Sequence, residues 1–171
     1  MNWNYKYYTE KELIKPLLTK AIAKKSLTEL DPAILQNLLL VLKLQEKICD
    51  HLKYKPQING AYRPWDIGSA HTLALAIDSQ WFNDKNYGHK IINYLRDNAD
   101  KLIKELGLVG FRVFWEWSGV KNFGWIHLDV NFDVKQGECK FRVGYPNKGR
   151  DKKKKPMIYR VYEGKAPYEY V

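Results

Sequence analysis

Three stretches of the chain carry apolar residues at the spacing of an α-helix. The first is predicted over Thr9–Lys24, where a T-x-x-E capping box precedes the periodic residues. The second is predicted over Pro32–Leu52, because Asp31 is a favourable N-cap and proline suits the first helical position. The third is predicted from Tyr87 to Leu106, and Gly107 is typical of the residue that ends a helix.

Shorter apolar stretches, bounded by Gly, Pro or polar residues, predict six β-strands. In chain order these are Gln57–Ala61, Thr72–Ile77, Phe111–Trp117, Gly124–Val130, Lys140–Val143 and Met157–Tyr162. A turn is expected at residues 136–137 and a loop over Gly144–Pro156. The pattern predicts an α+β fold, with an antiparallel sheet and two or three long helices packed on one side. We find no linker or repeat, so residues 1–171 are taken as one domain.

Two of these strands form a predicted hairpin whose register follows from their apolar faces. In Phe111–Trp117 the odd-numbered residues are apolar, and Glu116 lies on the other face. In Gly124–Val130 the even-numbered residues are apolar, and His127 and Asp129 lie on the other face. Matching the apolar faces places Glu116 on the same face as His127, since a one-residue slip would bury Glu116 in the core.

Composition and charge narrow the classes of protein that fit. The chain has 171 residues, of which 45% are apolar and 14% aromatic, as in a globular protein rather than a disordered one. No apolar run approaches the ~20 residues that span a bilayer, and the first residues lack a secretory signal pattern. We therefore expect synthesis in the cytoplasm. The net charge of +10 favours nucleic acid, an anionic membrane or an acidic wall polymer as partner, or only confers solubility.

Two histidines and one aspartate are the strongest candidates for chemistry. His71, Asp78 and His127 are all of types that ligate zinc, and three protein ligands plus water is the catalytic zinc pattern. Hydrolysis also needs a carboxylate that accepts a proton, which the hairpin register supplies as Glu116. Asp129 is better placed to orient a ligating histidine. Spacing alone leaves open a pair of hydrogen-bonded, half-buried histidines without a metal.

Three motifs occur in order along the chain: AYRPW from Ala61, GSAHTLALAID from Gly68, and GWIHLDV from Gly124. They resemble the zinc D-alanyl-D-alanine carboxypeptidases and L-alanyl-D-glutamate endopeptidases. That group includes the vancomycin-resistance dipeptidases, several phage endolysins and the Hedgehog-like fold. Its pattern is roughly [SG]-x-Y-R, then S-x-H-x-x-G-x-A-x-D, then W-x-H-x-[DES]. The resemblance covers residues 55–132, and the basic loop and terminal strand at residues 144–171 lie outside it.

The resemblance implies a zinc metallopeptidase that hydrolyses stem or cross-link peptide bonds of bacterial peptidoglycan. It implies zinc ligands at His71, Asp78 and His127. Arg63 would clamp a substrate carboxylate or carbonyl, a task suited to a planar guanidinium. Ser69 would hydrogen-bond the substrate or hold its loop. A phage or prophage origin, with action at the cell wall after lysis or as a virion component, fits this group.

The chain departs from the family pattern at two positions. Ala74 stands where a glycine is usual, which is tolerable only if the backbone there does not need a positive φ or a close approach. Gly124 stands where many members carry the catalytic glutamate. Other members take that carboxylate from the preceding strand, and Glu116 fits this variant. If Glu116 did not reach the site, the protein would bind metal but hydrolyse poorly.

Two other functions remain open from the sequence. The departures from the family pattern are compatible with a non-catalytic module that binds metal or cell wall. The run Lys152–Lys155 and the many aromatic residues suggest nucleic-acid binding, which is the weaker hypothesis because no nucleic-acid-binding motif is present.

Overall fold

The computed structural model describes residues 5–10, 30–63, 67–81, 86–119, 124–147 and 157–170. Within these ranges it confirms the predicted α+β class, with six strands in one sheet and three α-helices. The helices are α1 Pro32–Leu52, α2 Tyr87–Asp97 and α3 Ala99–Leu106. The strands are β1 Gln57–Gly60, β2 Ala76–Gln80, β3 Phe111–Trp117, β4 Gly124–Val130, β5 Cys139–Pro146 and β6 Met157–Val161, and two 3-10 helices span Ala70–Leu73 and Pro167–Tyr170.

The sheet is mostly antiparallel, as predicted, with one parallel pair. Its strand order is β1-β2-β4-β3-β5-β6. Every neighbouring pair is antiparallel except β3 and β5. The chain leaves β4, turns at residues 136–137, and returns on the far side of β3, which makes β5 run in the direction of β3. This return places β6 at the edge opposite β1.

The hairpin of β3 and β4 has the predicted strand bounds and register. Phe114 pairs with His127, and Glu116 pairs with Trp125. Because side chains alternate along a strand, Glu116 and His127 project from the same face of the sheet. The apolar pattern was sufficient here because three core-facing residues of each strand are buried, namely Phe111, Val113 and Trp115 of β3 and Ile126, Leu128 and Val130 of β4.

The helices cover one face of the sheet and leave the other face to the polar residues. The long helix α1 buries its apolar side, and α2 places Gly88 against the Trp115 ring on the apolar face of β3. The fully buried core joins the helices to this face, with Leu38, Leu42, Ile48, Ile77, Ile91, Ile92, Leu95, Phe111, Val113, Ile126, Leu128, Val130 and Val143 at 0% exposure. In the following text, the uncovered side is called the open face.

The predicted N-terminus of α1 is confirmed by its cap. The Asp31 carboxylate accepts the backbone N–H of Ala33 at 2.8 Å and that of Ile34 at 3.4 Å. Residues 11–24 of the predicted helix Thr9–Lys24 lie outside the described ranges. No helix among the described residues is long and apolar enough to cross a bilayer.

The single helix predicted from Tyr87 to Leu106 is wrong in one respect, since it is broken at Asn98 into α2 and α3. The Asn98 side-chain amide donates to the carbonyl of Tyr94 at 2.8 Å. The backbone N–H of Asn98 donates to the same carbonyl at 3.1 Å, and the break is the departure of Asn98 from helical angles, with φ −118° and ψ 13°. Gly107 ends α3 in the left-handed conformation, as predicted.

The strand predicted over Thr72–Ile77 begins late and is preceded by a helical turn. Residues Ala70–Leu73 form a 3-10 helix, and β2 spans Ala76–Gln80. A short apolar run fits either structure, so its periodicity could not distinguish them. Strand β5 also extends three residues into the loop predicted over Gly144–Pro156. The basic run Lys152–Lys155 lies outside the described residues.

We predict that Gly88→Ala destabilises the fold by about 2–3 kcal/mol, through overpacking. A Cβ at this position would lie 2.0 Å from Cδ2 of Trp115. In an exposed helix the same change would stabilise by about 1 kcal/mol, so the expected sign is reversed. Urea denaturation would measure the shift in midpoint. Asn93→Ala, at an exposed position of α2, should change stability by less than about 0.5 kcal/mol. A Gly88→Ala variant as stable as wild type would contradict the packing of α2 on Trp115.

Candidate metal centre

Strand pairing lines up the side chains of the open face in three rows across the sheet. Asp78 on β2 pairs with His127 on β4, so these two candidate ligands are direct neighbours. The first row is Ala76–Asp129–Arg112–Lys140, the second is Asp78–His127–Phe114–Arg142–Val161, and the third is Trp125–Glu116–Gly144–Tyr159. Two of the predicted metal ligands, Asp78 and His127, lie in the second row, and the predicted proton acceptor Glu116 lies in the third.

His71 reaches the second row from the 3-10 helix that precedes β2. The Ser69 hydroxyl accepts the backbone N–H of His71 at 3.2 Å and so caps this helix. The carbonyl of His71 accepts the backbone N–H of Arg63 at 3.0 Å. The bond from Arg63 joins the first two sequence motifs, and both bonds fix the direction from which His71 approaches.

Ala74 ends this short helix with φ 55° and ψ 25°, in the left-handed region. An alanine was expected to be tolerated here only if the backbone had no positive φ. The positive φ of Ala74 shows that this condition is not met. The left-handed conformation costs an alanine roughly 1 kcal/mol, and its buried methyl group offsets part of that cost. The chain keeps the turn that directs His71 towards β2 despite the strain.

Three acceptor atoms converge between His71, Asp78 and His127. Asp78 Oδ1 lies 3.3 Å from His71 Nε2 and 2.9 Å from His127 Nδ1, and the two ring nitrogens are 3.2 Å apart. The outer nitrogen of each ring fixes its tautomer. His71 Nδ1 lies 2.5 Å from the carbonyl of Ala61, which can only accept, so Nδ1 carries the proton and Nε2 the lone pair. Lone pairs at this separation repel one another unless a cation or a proton lies between them.

His127 is oriented by a buried carboxylate. Its Nε2 lies 3.0 Å from Asp129 Oδ2, so Nε2–H donates to Asp129, and Nδ1 faces the other ligands. Asp129 is 0% exposed and is held in turn by Arg112, whose Nε and Nη2 each donate to it at 2.9 Å. A histidine backed by a carboxylate is the usual arrangement at protein metal sites. The three converging residues can therefore hold a metal ion.

The electrostatics of the cluster show how strongly it attracts positive charge. Burial disfavours the charge of Asp78, but the hydrogen bonds from His127 and His71 outweigh it and hold the pKa of Asp78 well below its usual range. Burial likewise opposes protonation of His127, but the hydrogen bonds to Asp129 and Asp78 outweigh it and raise the pKa of His127 to about 10. Without a metal, a proton on His127 Nδ1 therefore occupies the place that a cation would take.

Glu116 lies in the adjoining row, with 8% of its surface exposed. Its Oε1 accepts the Tyr159 hydroxyl at 2.6 Å, and the Trp125 indole N–H also donates to it. Burial raises the pKa of Glu116, and these donors oppose the rise only in part. A glutamate at position 124 could not supply the carboxylate instead of Glu116. A Cβ at that position would lie 2.4 Å from the backbone oxygen of Glu116.

Most of the predicted site residues line one open cavity of about 570 Å³. Arg63 lies at its wall and donates from Nη2 to Asp78 Oδ2, the carboxylate oxygen turned away from the histidines. Ser69 and Asp129 do not line the cavity; Ser69 caps the helix that carries His71, and Asp129 is buried behind His127. The structure thus brings together His71, Asp78, His127, Glu116 and Arg63.

Two residues of the site were missed by sequence reasoning. Arg112 could have been noticed, because the alternation of β3 places it on the face of Glu116 and the hairpin register opposite Asp129. Tyr159 carried no such signal, since its place depends on the pairing of β3 with β5 and of β5 with β6.

No family model, curated protein or solved structure matches this chain. The geometry and the motifs therefore carry the functional argument by themselves.

We predict that Asp129→Asn lowers both the affinity for zinc and the free energy of unfolding. Loss of the carboxylate removes the buried partner of the Arg112 charge and leaves it only the exposed Asp133, at a cost of about 3 kcal/mol. It also removes the acceptor that orients His127, for which a 10- to 100-fold loss of zinc affinity is typical. Competition with a chromophoric chelator would measure the affinity, and urea denaturation the stability.

Asp133→Asn is the matched control, because Asp133 Oδ2 is also paired with Arg112 at 2.9 Å but is largely exposed. This change should cost less than about 1 kcal/mol and leave zinc affinity intact. Equal effects of the two substitutions would contradict the orienting role of Asp129.

We predict that the stability of the metal-free protein falls as the pH rises from about 6.5 to about 10. The unfolded state has an ordinary histidine pKa of about 6.5, whereas the pKa of His127 in the folded state is raised to about 10. In this window the native state binds the extra proton, so deprotonation removes stability. Zinc takes the same lone pair, so its uptake near pH 8 should release about one proton.

Calorimetry in buffers of different ionisation enthalpy would measure the proton released by zinc uptake. Thermal unfolding with a chelator would measure the pH slope. His51→Gln, which changes an exposed histidine outside the cluster, should leave both unchanged. A flat profile for the metal-free wild type would contradict the protonated state of His127.

Proposed function

We propose that this protein is a zinc-dependent peptidase that hydrolyses peptide bonds of bacterial peptidoglycan. The observation that carries the proposal is the convergence of His71 Nε2, Asp78 Oδ1 and His127 Nδ1 within 3.3 Å of one another. Two imidazoles and a carboxylate suit zinc. Three protein ligands leave a fourth position for water or substrate, as in catalytic rather than structural zinc sites.

A bound zinc would lower the pKa of a coordinated water and polarise a substrate carbonyl. Glu116 is the proton acceptor of the proposed reaction, because it lines the same cavity and projects from the same face as His127. Its raised pKa suits a group that takes a proton from water and then passes it to the leaving amine, since the best acid–base catalysts titrate near the working pH.

Arg63 fits the proposed substrate clamp although it already pairs with Asp78. A guanidinium has five N–H donors, and the side chain is about one-third exposed at the cavity wall. It can therefore keep Asp78 in place and still donate to a substrate carboxylate. Its position beside the ligands would set the distance between that carboxylate and the reacting carbonyl.

The choice of peptidoglycan as substrate is supported by the three motifs and by the charge of the chain. The motifs resemble those of peptidases that act on D-alanine and D-glutamate peptides. The net charge of +10 suits attraction to an anionic wall. Action at the wall after lysis or as part of a phage particle belongs to this proposal.

The alternative of a non-catalytic module is less favoured. It rested on Ala74 and Gly124, the two departures from the family pattern. Ala74 adopts the left-handed conformation despite its Cβ, so the turn that directs His71 is formed, and Glu116 supplies a carboxylate beside the proposed ligands in place of a residue at Gly124. Both departures are thereby compatible with catalysis.

We predict that Glu116→Gln lowers the turnover number by a factor of about 10² to 10⁴, the usual contribution of a general base. Zinc content should not change, because Glu116 is not a proposed ligand. The assay would follow soluble peptides released from purified peptidoglycan by liquid chromatography. Treatment with a chelator should abolish release, and added zinc should restore it.

Glu163→Gln removes an exposed carboxylate and is expected to leave turnover unchanged. A Glu116→Gln variant with full activity and bound zinc would remove Glu116 from the mechanism. A wild-type protein that binds zinc but releases no peptide would favour the binding module.

A further inference from the structure

The third row of the open face holds Glu116 between two aromatic side chains. Trp125 is its partner on β4, and Gly144 is its partner on β5. Beyond Gly144, on β6, lies Tyr159, which pairs directly with Gly144. The hydroxyl of Tyr159 nevertheless lies 2.6 Å from Glu116 Oε1, so the side chain crosses a whole strand to reach it.

The absence of a side chain at Gly144 makes this crossing possible. A Cβ there would lie 2.8 Å from Cε1 of Tyr159 and 3.2 Å from Cγ of Glu116. The first distance is shorter than carbon atoms normally approach. Phe114 supports the ring from the side, with its ring centroid 5.3 Å away and the planes at 80°. The space above Gly144 and the contact with Phe114 together direct the Tyr159 ring towards Glu116.

We infer that Tyr159 is a positioning residue for the proposed catalytic carboxylate of Glu116. The lack of a side chain at Gly144 allows the Tyr159 ring to cross β5 and reach it. The inference rests on the proposed function, since it assigns Tyr159 a part in the reaction through Glu116. Tyr159 lines the same cavity as Glu116. No motif of the sequence includes it.

The chemical reason lies in the surroundings of Glu116. A buried carboxylate is driven towards its neutral form by desolvation, and the charged groups that face it are His127 and Asp78 from the metal cluster. The Tyr159 hydroxyl and the Trp125 indole are both neutral donors. They fix the carboxylate and favour its ionised form without adding a positive charge that would weaken it as a base. Loss of one donor should leave Glu116 less ionised and less well aimed.

The first test compares Tyr159→Phe with wild type in the zinc-loaded protein. The turnover number is expected to fall about tenfold, with KM changed less than about twofold. The acidic limb of the kcat/KM profile is expected to move about one pH unit towards neutrality, because a donor to the ionised carboxylate is lost. Zinc content should be unchanged. Gly144→Ala should reproduce these effects through displacement of the ring.

Tyr168→Phe is the matched control, because Tyr168 is exposed to a similar extent, 45% against 43%, and packs on Trp115 and Trp117 away from Glu116. It should leave turnover and the pH profile unchanged. A Tyr159→Phe variant with the wild-type turnover number and acidic limb would overturn the inference.

The second test is independent of hydrolysis. Urea unfolding of Tyr159→Phe, Glu116→Ala and the double variant forms a double-mutant cycle. If the two residues acted independently, the effects of the single substitutions would multiply in the double variant. Because they share one hydrogen bond, the unfolding equilibrium constant of the double variant is expected to be about tenfold smaller than that product. Additive effects would overturn the inference. If wild-type protein bound zinc but hydrolysed no substrate, the proposed function alone would fail, and the cycle would still decide whether Tyr159 holds Glu116.

Discussion

The site depends on one electrostatic requirement. The lone pairs of three acceptor atoms point at the same space, so a cation or a proton must lie between them. His71, Asp78 and His127 contribute one acceptor atom each, and the outer nitrogen of each ring is already committed to a fixed acceptor. A neutral histidine at either position could turn its single N–H inwards only by breaking that bond. The fold thus holds the acceptors together at a cost that a bound cation would offset.

The sheet meets this cost through a second layer of charge. Arg112 binds Asp129, Asp129 binds His127, and His127 faces Asp78, so opposite charges alternate from β3 through β4 to β2. Arg112–Asp129 and His127–Asp78 join residues of neighbouring strands, whose register sets their separation, and Asp129–His127 joins two residues of β4 that project from the same face. A buried carboxylate such as Asp129 is tolerable only because Arg112 reaches it with two donors. The candidate metal site is therefore part of the charge and hydrogen-bond pattern of the sheet itself.

Local signals were sufficient wherever one face of an element is fully buried and its ends carry distinctive residues. Helix α1 follows from Asp31, Pro32 and its wide apolar side. The hairpin follows from alternation, because any other register would bury Glu116 in the core. The same signals failed at Asn98, where the backbone departs from helical angles, and at Ala70–Leu73, where an apolar run forms a 3-10 helix. In both places the backbone conformation of a few residues differs from what the periodicity predicts.

The sequence by itself determined the chemistry available to the site and which face of the hairpin carries it. Histidines, acids and an arginine stand in recognisable motifs, and a period of two puts Glu116 beside His127. Apart from the hairpin of β3 and β4, only the tertiary structure decided which strands lie next to which. The order β4-β3-β5-β6 brings Tyr159 to Glu116 across Gly144, and no local pattern encodes that order. Strand order depends on contacts between residues far apart in the chain, which alternation along a single strand does not specify.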